Sequence, residues 1–402
     1  MLDWIKSVLS DQFGFGIVLM AVLLVAILTA VAYSILLERK VSAWIQDRFG
    51  PNRVGPYGLL QPVADGLKML LKEDIIPRNV DRALFILAPW MIFVVAMVGF
   101  AVIPWGGQFR WPWMDEGEIL QAQVASIDIG LLYILAVSSL GVYGVVLGGW
   151  ASNNKYSFYG GMRAAAQMLS YEVPMGMVIL TVILATGHVR LESMVVAQTG
   201  TFFGLHGFDW MFWYHPIGAL LLFISALAEA NRTPFDLAEC EQELVGGYHT
   251  EYSAMKMGLF FLAEYAHMIT SSALIVALFF GGYLLPGWSW LNTSESALAM
   301  FCRVGVFGFK ILFVIFVYMW IRWTIPRFRY DQLMRIAWKG FVPISMALVV
   351  LQGIVVYAEW PQWVTILGNV AVVLVVAAAM PRGRPVTGRQ ASLERKVQVS
   401  GG

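Results

Sequence analysis

The sequence predicts an all-α membrane protein, a polytopic helix bundle of about nine transmembrane helices with one further amphipathic helix in the membrane interface. Of its 402 residues, 59% are hydrophobic and 13% carry a charged side chain, which excludes an ordinary soluble protein. Apolar stretches long enough to span a membrane recur along the chain, and Lys and Arg collect in alternate loops between them. Together these observations indicate a chain that crosses a bilayer many times.

Charge and cysteine content exclude several classes of function. The chain has 27 Lys and Arg against 26 Asp and Glu, so it has no surplus of positive charge with which to hold nucleic acid. Cys240 and Cys302 lie far apart without a C-x-x-C motif, which argues against a disulfide framework or a cysteine-ligated metal. The five histidines do not form the inward-facing pairs that a bis-His haem needs. We therefore expect no metal and no covalently bound cofactor in this chain.

Nine apolar windows are predicted to span the membrane, whose hydrocarbon core of about 30 Å requires about 20 apolar residues in a helix. Eight of them are bounded by charged residues, Pro or Gly: Phe15–Leu37, Ala83–Ile103, Ile127–Leu147, Arg163–Thr186, His215–Ala228, Ala254–Phe280, Val304–Trp323 and Phe341–Tyr357. The ninth, Val364–Met380, is just long enough to cross. The first window lacks a small-residue cleavage site, so we expect a retained span and not a removed signal.

The positive charges determine the predicted topology. Cytoplasmic loops carry an excess of Lys and Arg, and 21 of these residues fall in one alternate set of segments against four in the other. Nine spans put the basic tail on the positive side, whereas eight would translocate it. We therefore expect a multi-pass protein of the bacterial cytoplasmic (inner) membrane, with its N-terminus outside and its C-terminus in the cytoplasm. Residues 1–380 would form one membrane domain, and residues 381–402 a basic cytoplasmic tail predicted to be disordered.

One predicted helix is too short and too polar to span. Apolar residues recur at helical spacing between Leu59 and Lys72. Asp65 and Lys68 fall on the opposite side, and Pro62 suits the first turn. Such a helix lies in the interface plane. It is either a surface helix packed on its own membrane domain or a lintel over an opening through which a lipid-soluble ligand enters.

The loop before the sixth window is acidic, although it lies on the predicted positive side. Against a single Arg232 it holds Glu229, Asp236, Glu239, Glu241, Glu243 and Glu251. Thr233 as N-cap and Pro234 at the first position predict a helix that ends at Gly246. Asp236, Glu239 and Glu243 would share one face, where close carboxylates raise one another's pKa and hold protons. The alternative is a solvated acidic face, or one that pairs with a basic surface of another subunit.

Ionisable residues at membrane depth are costly and mark functional pathways. Those within or at the ends of the windows are Glu172, Glu229, Lys256, Glu264, His267 and Lys310. Arg232 follows Glu229 within pairing reach, and His267 follows Glu264 on the same helix face. We interpret the set as a run of proton carriers across adjacent helices. The alternative for any one of them is a salt bridge with a purely structural role.

Seven motifs in and beside the windows are distinctive: Leu37–Lys40, Arg48–Pro56, Ala64–Gly66, Gly149–Asn153, Ser170–Glu172, Ala228–Asp236 and Pro326–Leu333. Through them the chain resembles the H-subunit family of respiratory complex I, from the first window to the eighth. Members of that family are membrane subunits of NADH:quinone oxidoreductase and join its peripheral arm to its membrane arm. The resemblance implies an enzyme subunit, a proton-pumping translocase as part of the complex, that is not catalytic alone.

The resemblance also implies partners and a substrate. The inside loops of the family clasp peripheral-arm subunits that carry the last iron–sulfur cluster and most quinone contacts. A quinone, ubiquinone or menaquinone, enters from the lipid between the first span, the amphipathic helix and the sixth span. Carboxylates then lead protons toward antiporter-like and small membrane-arm subunits. Matched onto this sequence, the relay is expected at Glu38, Glu172, Glu229 and Glu264. The chamber and docking loops are expected to use Arg39, Arg48, Arg53, Asp65, Lys68, Arg232, Asp236, Glu239, Glu241, Glu243 and Glu251.

Two features depart from the family pattern, and two alternative functions stay open. Some members carry a further Glu in the third span, where this chain has Ser138 and Ser139. The ninth window and the tail extend beyond the common eight helices. One alternative is the homologous subunit of a membrane-bound hydrogenase-type complex, which need not bind quinone. The other is a stand-alone ion transporter, which would transport as an isolated chain in liposomes.

Overall fold

The structure, a computed structural model, describes residues 9–115, 117–202, 204–237 and 245–379. These residues are predominantly helical. The strands among them are two short antiparallel pairs, in which Gln108–Phe109 (β1) pairs with Leu120–Gln121 (β2) and Thr201–Phe202 (β3) pairs with Leu205–His206 (β4). The predicted class, an all-α multi-span membrane protein, is confirmed.

The first five helices contain the first four predicted spans and the amphipathic helix. They are Gln12–Ile45 (α1), Gln61–Leu71 (α2), Arg82–Val98 (α3), Gly130–Ala151 (α4) and Lys155–Thr186 (α5). A 3₁₀ turn, Pro56–Gly58, precedes α2, and another, Gly99–Val102, extends α3. The predicted amphipathic helix is therefore confirmed as α2, with Pro62 in its first turn.

The second half of the chain contains five further spans and four short helices. In order these are Leu191–Ala197 (α6), Met211–Tyr214 (α7), Pro216–Glu229 (α8), Ala254–Phe279 (α9), Ser289–Thr293 (α10), Ala297–Thr324 (α11), Tyr330–Ile336 (α12), Val342–Tyr357 (α13) and Trp363–Ala379 (α14). A 3₁₀ turn, Gly247–His249, precedes α9, and a π-helical segment, Ala337–Phe341, joins α12 to α13.

All nine predicted windows are helical within the described residues, but they differ in length. Seven are long and apolar enough to cross a membrane, and α8 and α14 are shorter, with 14 and 17 residues. Fourteen residues rise only about 21 Å along a helix axis. The short helix α7 leads into α8 through His215 and lengthens that passage. The protein is thus a multi-pass membrane protein, and the count of nine spans stays a prediction.

Polar caps determine where the spans begin, which the apolar windows alone do not reveal. Asp11 accepts a hydrogen bond from the backbone N–H of Gly14 at 3.1 Å, and Asn154 accepts one from Tyr156 at 3.0 Å. Both residues precede the apolar stretch by several positions, so α5 starts well before the predicted Arg163. At its other end α1 continues to Ile45 and carries Glu38 on its last helical turns. This extension brings a carboxylate into the protein interior.

The spans pack around two central helices. The helix α9 is the most buried of the seven long ones and packs against α1, α3 and α11. The helix α5 packs against α4, α8 and α13. Close approach depends on glycine, because a Cβ at Gly144 of α4 would lie 2.2 Å from Cγ1 of Ile92 on α3. The ionisable residues of these helices therefore face one another inside the bundle.

The helix predicted to start at Pro234 is wrong over the described residues. Residues 233–237 form a turn and a bend, the Thr233–Pro234 peptide is cis, and Asn231 has a positive φ of 48°. Phe235 is buried against Tyr171 and Phe328, at ring-centroid distances of 5.6 and 6.0 Å. Burial of this aromatic side chain outweighs the local capping pattern. Residues 238–244, which hold Glu239, Glu241 and Glu243, lie outside the described residues.

Candidate functional site

Glu38, at the end of α1, is the centre of a buried ionic network. Nη1 of Arg232 lies 2.9 Å from its Oε2. The Tyr265 hydroxyl donates a hydrogen bond to the same oxygen at 2.6 Å. The Arg322 guanidinium forms an ion pair with the other carboxylate oxygen, Oε1. The carboxylate, only 6% exposed, is therefore held by groups from three other segments of the chain.

Arg232 joins Glu38 to a second carboxylate. Its Nε lies 2.8 Å from Oε1 of Glu264 on α9. Its guanidinium carbon lies 4.0 Å from the centroid of the Tyr265 ring, within cation–π distance. The planar fork of an arginine can bridge two carboxylates in this way, whereas a lysine ammonium is a point charge. Two of the four expected relay carboxylates thus share one cation.

The other two relay carboxylates have partners on neighbouring helices. Glu229, at the end of α8 and 7% exposed, lies 3.4 Å from Nε2 of His267 on α9. Glu172, in the middle of α5, accepts a hydrogen bond from the Ser139 hydroxyl on α4. The expected pairing of Arg232 with Glu229 gives way to this arrangement, in which Arg232 pairs with Glu38 and Glu264. Four carboxylates from α1, α5, α8 and α9 therefore approach one another in the core.

A large cavity lies next to the Glu38 network. It measures about 700 Å³ and is bordered by α1, α2, α9 and α11. Its lining is mainly apolar, with a polar wall formed by Glu38, Arg39, Arg48, Asp65, Tyr265 and Arg322. Small-molecule pockets of about 300–1,000 Å³ commonly combine an apolar lining with a few fixed polar groups. The cavity lies between the three elements that the resemblance implied, the first span, the amphipathic helix and the sixth span.

Ion pairs attach α2 to the mouth of this cavity. Asp65 lies 2.7 Å from Nη1 of Arg39, and Gln61 donates a hydrogen bond to Asp65 at 2.9 Å. Lys40 donates to the backbone carbonyl of Tyr57 at 2.7 Å, just before the helix. The leucines of α2 stay exposed, with Leu71 at 85%. An exposed apolar face on a helix held at one side of a bundle suits the membrane interface.

The remaining predicted site residues lie outside the network. Arg53 and Lys68 are exposed, and Arg48 donates to Gln46 at 2.7 Å. Asp236 forms an ion pair with Arg327 at 3.0 Å, and Glu251 accepts a hydrogen bond from Asn154 at 2.6 Å. These residues belong to loops and helix ends on the same side as Glu38.

Two lysines grouped with the proton carriers have other partners. The Lys310 ammonium donates to the carbonyl oxygens of Phe280, Gly282 and Leu284 at 2.7, 2.9 and 2.7 Å, and so caps the end of α9. Lys256 forms an ion pair with Asp74 at 2.6 Å. Both contacts favour a structural role for the lysines.

Sequence reasoning misses two members of the network and one helix contact. Arg322 counts there only as an inside charge, although its position at the last turn of α11 is a signal. Tyr265 directly follows Glu264, and a phenol beside a membrane carboxylate is a candidate donor. Ser139 stands out in the sequence only for the absence of a glutamate, and it contacts Glu172. Distances between helices far apart in sequence are needed to identify all three.

Comparison with known proteins agrees with this geometry. The family model described as NADH dehydrogenase matches residues 18–353. The first of the NADH-quinone oxidoreductase H-subunits of Cytophaga hutchinsonii is 47% identical over 337 residues, 84% of this chain and 95% of the relative. The H-subunit of Flavobacterium psychrophilum is 47% identical over 84% of this chain and 96% of the relative, and that of Leptospira biflexa is 46% identical over 82% and 91%. The chain therefore belongs to the H-subunit family of NADH-quinone oxidoreductase, which are membrane subunits of complex I.

Proposed function

We propose that this subunit forms the quinone access chamber of the complex, docks its peripheral arm and starts its proton relay. The observation that carries the proposal is the cavity of about 700 Å³, apolar along most of its wall, whose polar wall is the Glu38 network. A long-tailed quinone has the same division, an apolar isoprenoid chain and a polar head with two carbonyl oxygens. Ubiquinone and menaquinone both fit this description.

The route into the chamber runs from the lipid past α2. Apolar side chains on this helix, such as Leu67 and Leu70, are 54% and 65% exposed and favour contact with the bilayer. Leu70 also lines the cavity, together with Met69 and Phe261 of the opposite wall. An isoprenoid tail therefore has a continuous apolar path from the interface to the inner end of the chamber.

The relay would begin where the chamber meets the buried carboxylates. Glu38 borders the chamber, Arg232 joins it to Glu264, and Glu229 and Glu172 lie beyond. Reduction of a quinone to a quinol consumes protons, so a quinone bound here changes the charge balance of the network. Carboxylates that share cations respond to such a change by exchanging protons, since each competes for the same positive charge.

Electrons would reach this chamber from peripheral-arm subunits that carry iron–sulfur centres and quinone-site residues. The exposed charges beside the chamber, Arg48, Arg53 and Lys68, would contact those subunits, with the acidic loop around Asp236 and Glu251. Antiporter-like and small membrane-arm subunits would receive the protons. In this arrangement the docking face is cytoplasmic and the N-terminus lies outside a bacterial inner membrane.

Photolabelling of the assembled enzyme tests the proposal. A photoreactive quinone analogue with an isoprenoid tail should label α2 or the inner halves of α1 and α9, and excess natural quinone should prevent labelling. Labelling confined to α11–α14 would contradict the position of the mouth. A preparation that co-purifies with a hydrogenase module and takes no label would favour the hydrogenase-type alternative, and ion transport by the isolated chain in liposomes would favour a transporter.

A further inference from the structure

Two small cavities meet at the contact between Glu229 and His267. The first measures about 60 Å³ and also borders Glu264 and Asn231. The second measures about 30 Å³ and borders Thr270 and Ser271, one turn further along α9. Glu229, His267 and Ser138 line both. The Glu229–His267 pair therefore lies at the boundary between a space on the side of Glu264 and a space deeper in the helix bundle.

Both spaces suit water. A cavity needs roughly 10–15 Å³ of accessible volume and two to four polar partners to hold one water molecule. The larger space has carboxyl, amide and imidazole groups in its wall, and the smaller one has three hydroxyl groups. Water in each could exchange protons with the side chains around it, but the pair separates the two volumes.

We propose that His267 is a proton-transfer residue which, with Glu229, passes protons between these two spaces; this rests on the proposed relay function. An imidazolium at His267 gives its Nε2 proton to Glu229 across 3.4 Å, leaving a neutral imidazole and a neutral carboxyl group. The carboxyl group releases that proton to one space, and the imidazole accepts another proton from the other. No net charge is gained or lost in the transfer within the pair.

The charge balance is the physical reason for a histidine at this position. A lone carboxylate in the core must alternate between charged and neutral forms, and each change alters the desolvation energy of a buried group. In the pair, the charged and neutral forms have the same total charge, so the transfer within it needs no other counter-ion. The other titratable groups that face the pair are Glu172 on α5, Glu264 on α9 and Tyr318 on α11. Glu172 accepts from Ser139 and Glu264 is bound by Arg232, so neither carboxylate replaces His267 as a partner of Glu229.

His267→Gln in the assembled enzyme tests the proposal, because glutamine keeps a hydrogen-bond donor for Glu229 but does not titrate. We expect quinone-reductase activity and protons pumped per electron to fall together, with a loss in rate on the order of tenfold or more. The solvent deuterium isotope effect should rise, because proton transfer then limits the rate. Electron transfer from NADH to an artificial acceptor should persist. His188→Gln, on an exposed loop, is the matched control.

Three results would overturn the proposal or separate it from the relay. Unchanged rate and proton ratio in His267→Gln would overturn it, and so would a loss without a change in isotope effect, since a structural role predicts that pattern. His267→Asn gives a second variant if the glutamine variant does not assemble. If Glu229→Gln is impaired while His267→Gln is not, the relay stands and only the role of His267 fails. If both variants match the control, the relay through Glu229 fails as well.

Discussion

Arg232 and Glu38 form an ion pair at 2.9 Å although 194 positions separate them in the sequence. The pair joins the end of the first span to the loop after α8, and the second contact of Arg232, with Glu264, adds α9. Removing one member of a buried pair leaves an uncompensated charge. The contact therefore both supports the bundle and sets the charge around the proposed chamber.

Replacing Arg232 by lysine should break one of its two carboxylate contacts, because an ammonium cannot reproduce the planar fork. Loss of a partner from a buried ion pair costs about 3–5 kcal/mol. We expect a lower yield of assembled complex and lower quinone-reductase activity, measured by co-purification and by quinone-dependent NADH oxidation. Arg78→Lys, at an exposed position, is the control. Equal behaviour of the two variants would mean that the Arg232 fork is dispensable.

Replacing Glu172 by glutamine should impair quinone reduction and proton pumping together, because glutamine keeps the hydrogen bond to Ser139 but cannot exchange a proton. Electron transfer from NADH to an artificial acceptor, which does not involve this subunit, should persist. Reconstituted vesicles measure all three activities in one preparation. The exposed Glu118→Gln variant controls for the substitution itself. Unchanged rate and protons per electron would identify Glu172 as a structural partner of Ser139.

Filling the proposed chamber should block the quinone without disturbing the fold. Gly66 borders the chamber on α2, and a Cβ built there has no neighbour within 4 Å. Gly66→Phe should therefore raise the KM for long-tailed quinone several-fold, with little effect on acceptor reduction. Gly308→Phe on α11, another position with open space, is the matched control. If both variants keep the wild-type KM, the quinone does not pass α2.

The topology prediction rests on the distribution of positive charge. A reporter that is active only in the cytoplasm should be active when fused after Gly402, and one that is active only in the periplasm should be silent. The physical reason is that nine spans keep the basic tail on the positive side. The reverse pattern would reduce the ninth window to an interfacial segment.

His249, in the turn before α9, should make stability sensitive to acid. Burial lowers its pKa to about 4 from a normal value of 6.5, so the folded protein keeps it neutral where the unfolded chain binds a proton. Its stabilising contribution is complete above pH 6.5 and declines as the pH falls toward 4. His249→Asn should reduce the difference between the thermal inactivation midpoints of the assembled enzyme at neutral and mildly acidic pH. An unchanged difference would assign the acid sensitivity to other groups.

Local pattern predicted much of the fold. Apolar length identified the nine helical windows, and alternation of polar and apolar residues identified α2, because both depend on neighbours within a few turns. The same approach failed at Thr233–Leu237, where capping signals favoured a helix. There Phe235 gains more from packing against Tyr171 and Phe328 than the backbone gains from a helical turn.

The sequence by itself determined that this is a multi-span membrane protein with carboxylates at membrane depth, since the cost of burying a charge makes such residues conspicuous in any apolar window. Only the tertiary structure decided their partners. Sequence spacing paired Arg232 with Glu229 and His267 with Glu264, the residues nearest along the chain. In the bundle Arg232 bridges Glu38 and Glu264, and Glu229 faces His267. Coulomb energy depends on distance in space, and helices from distant parts of the chain supply the nearest charges.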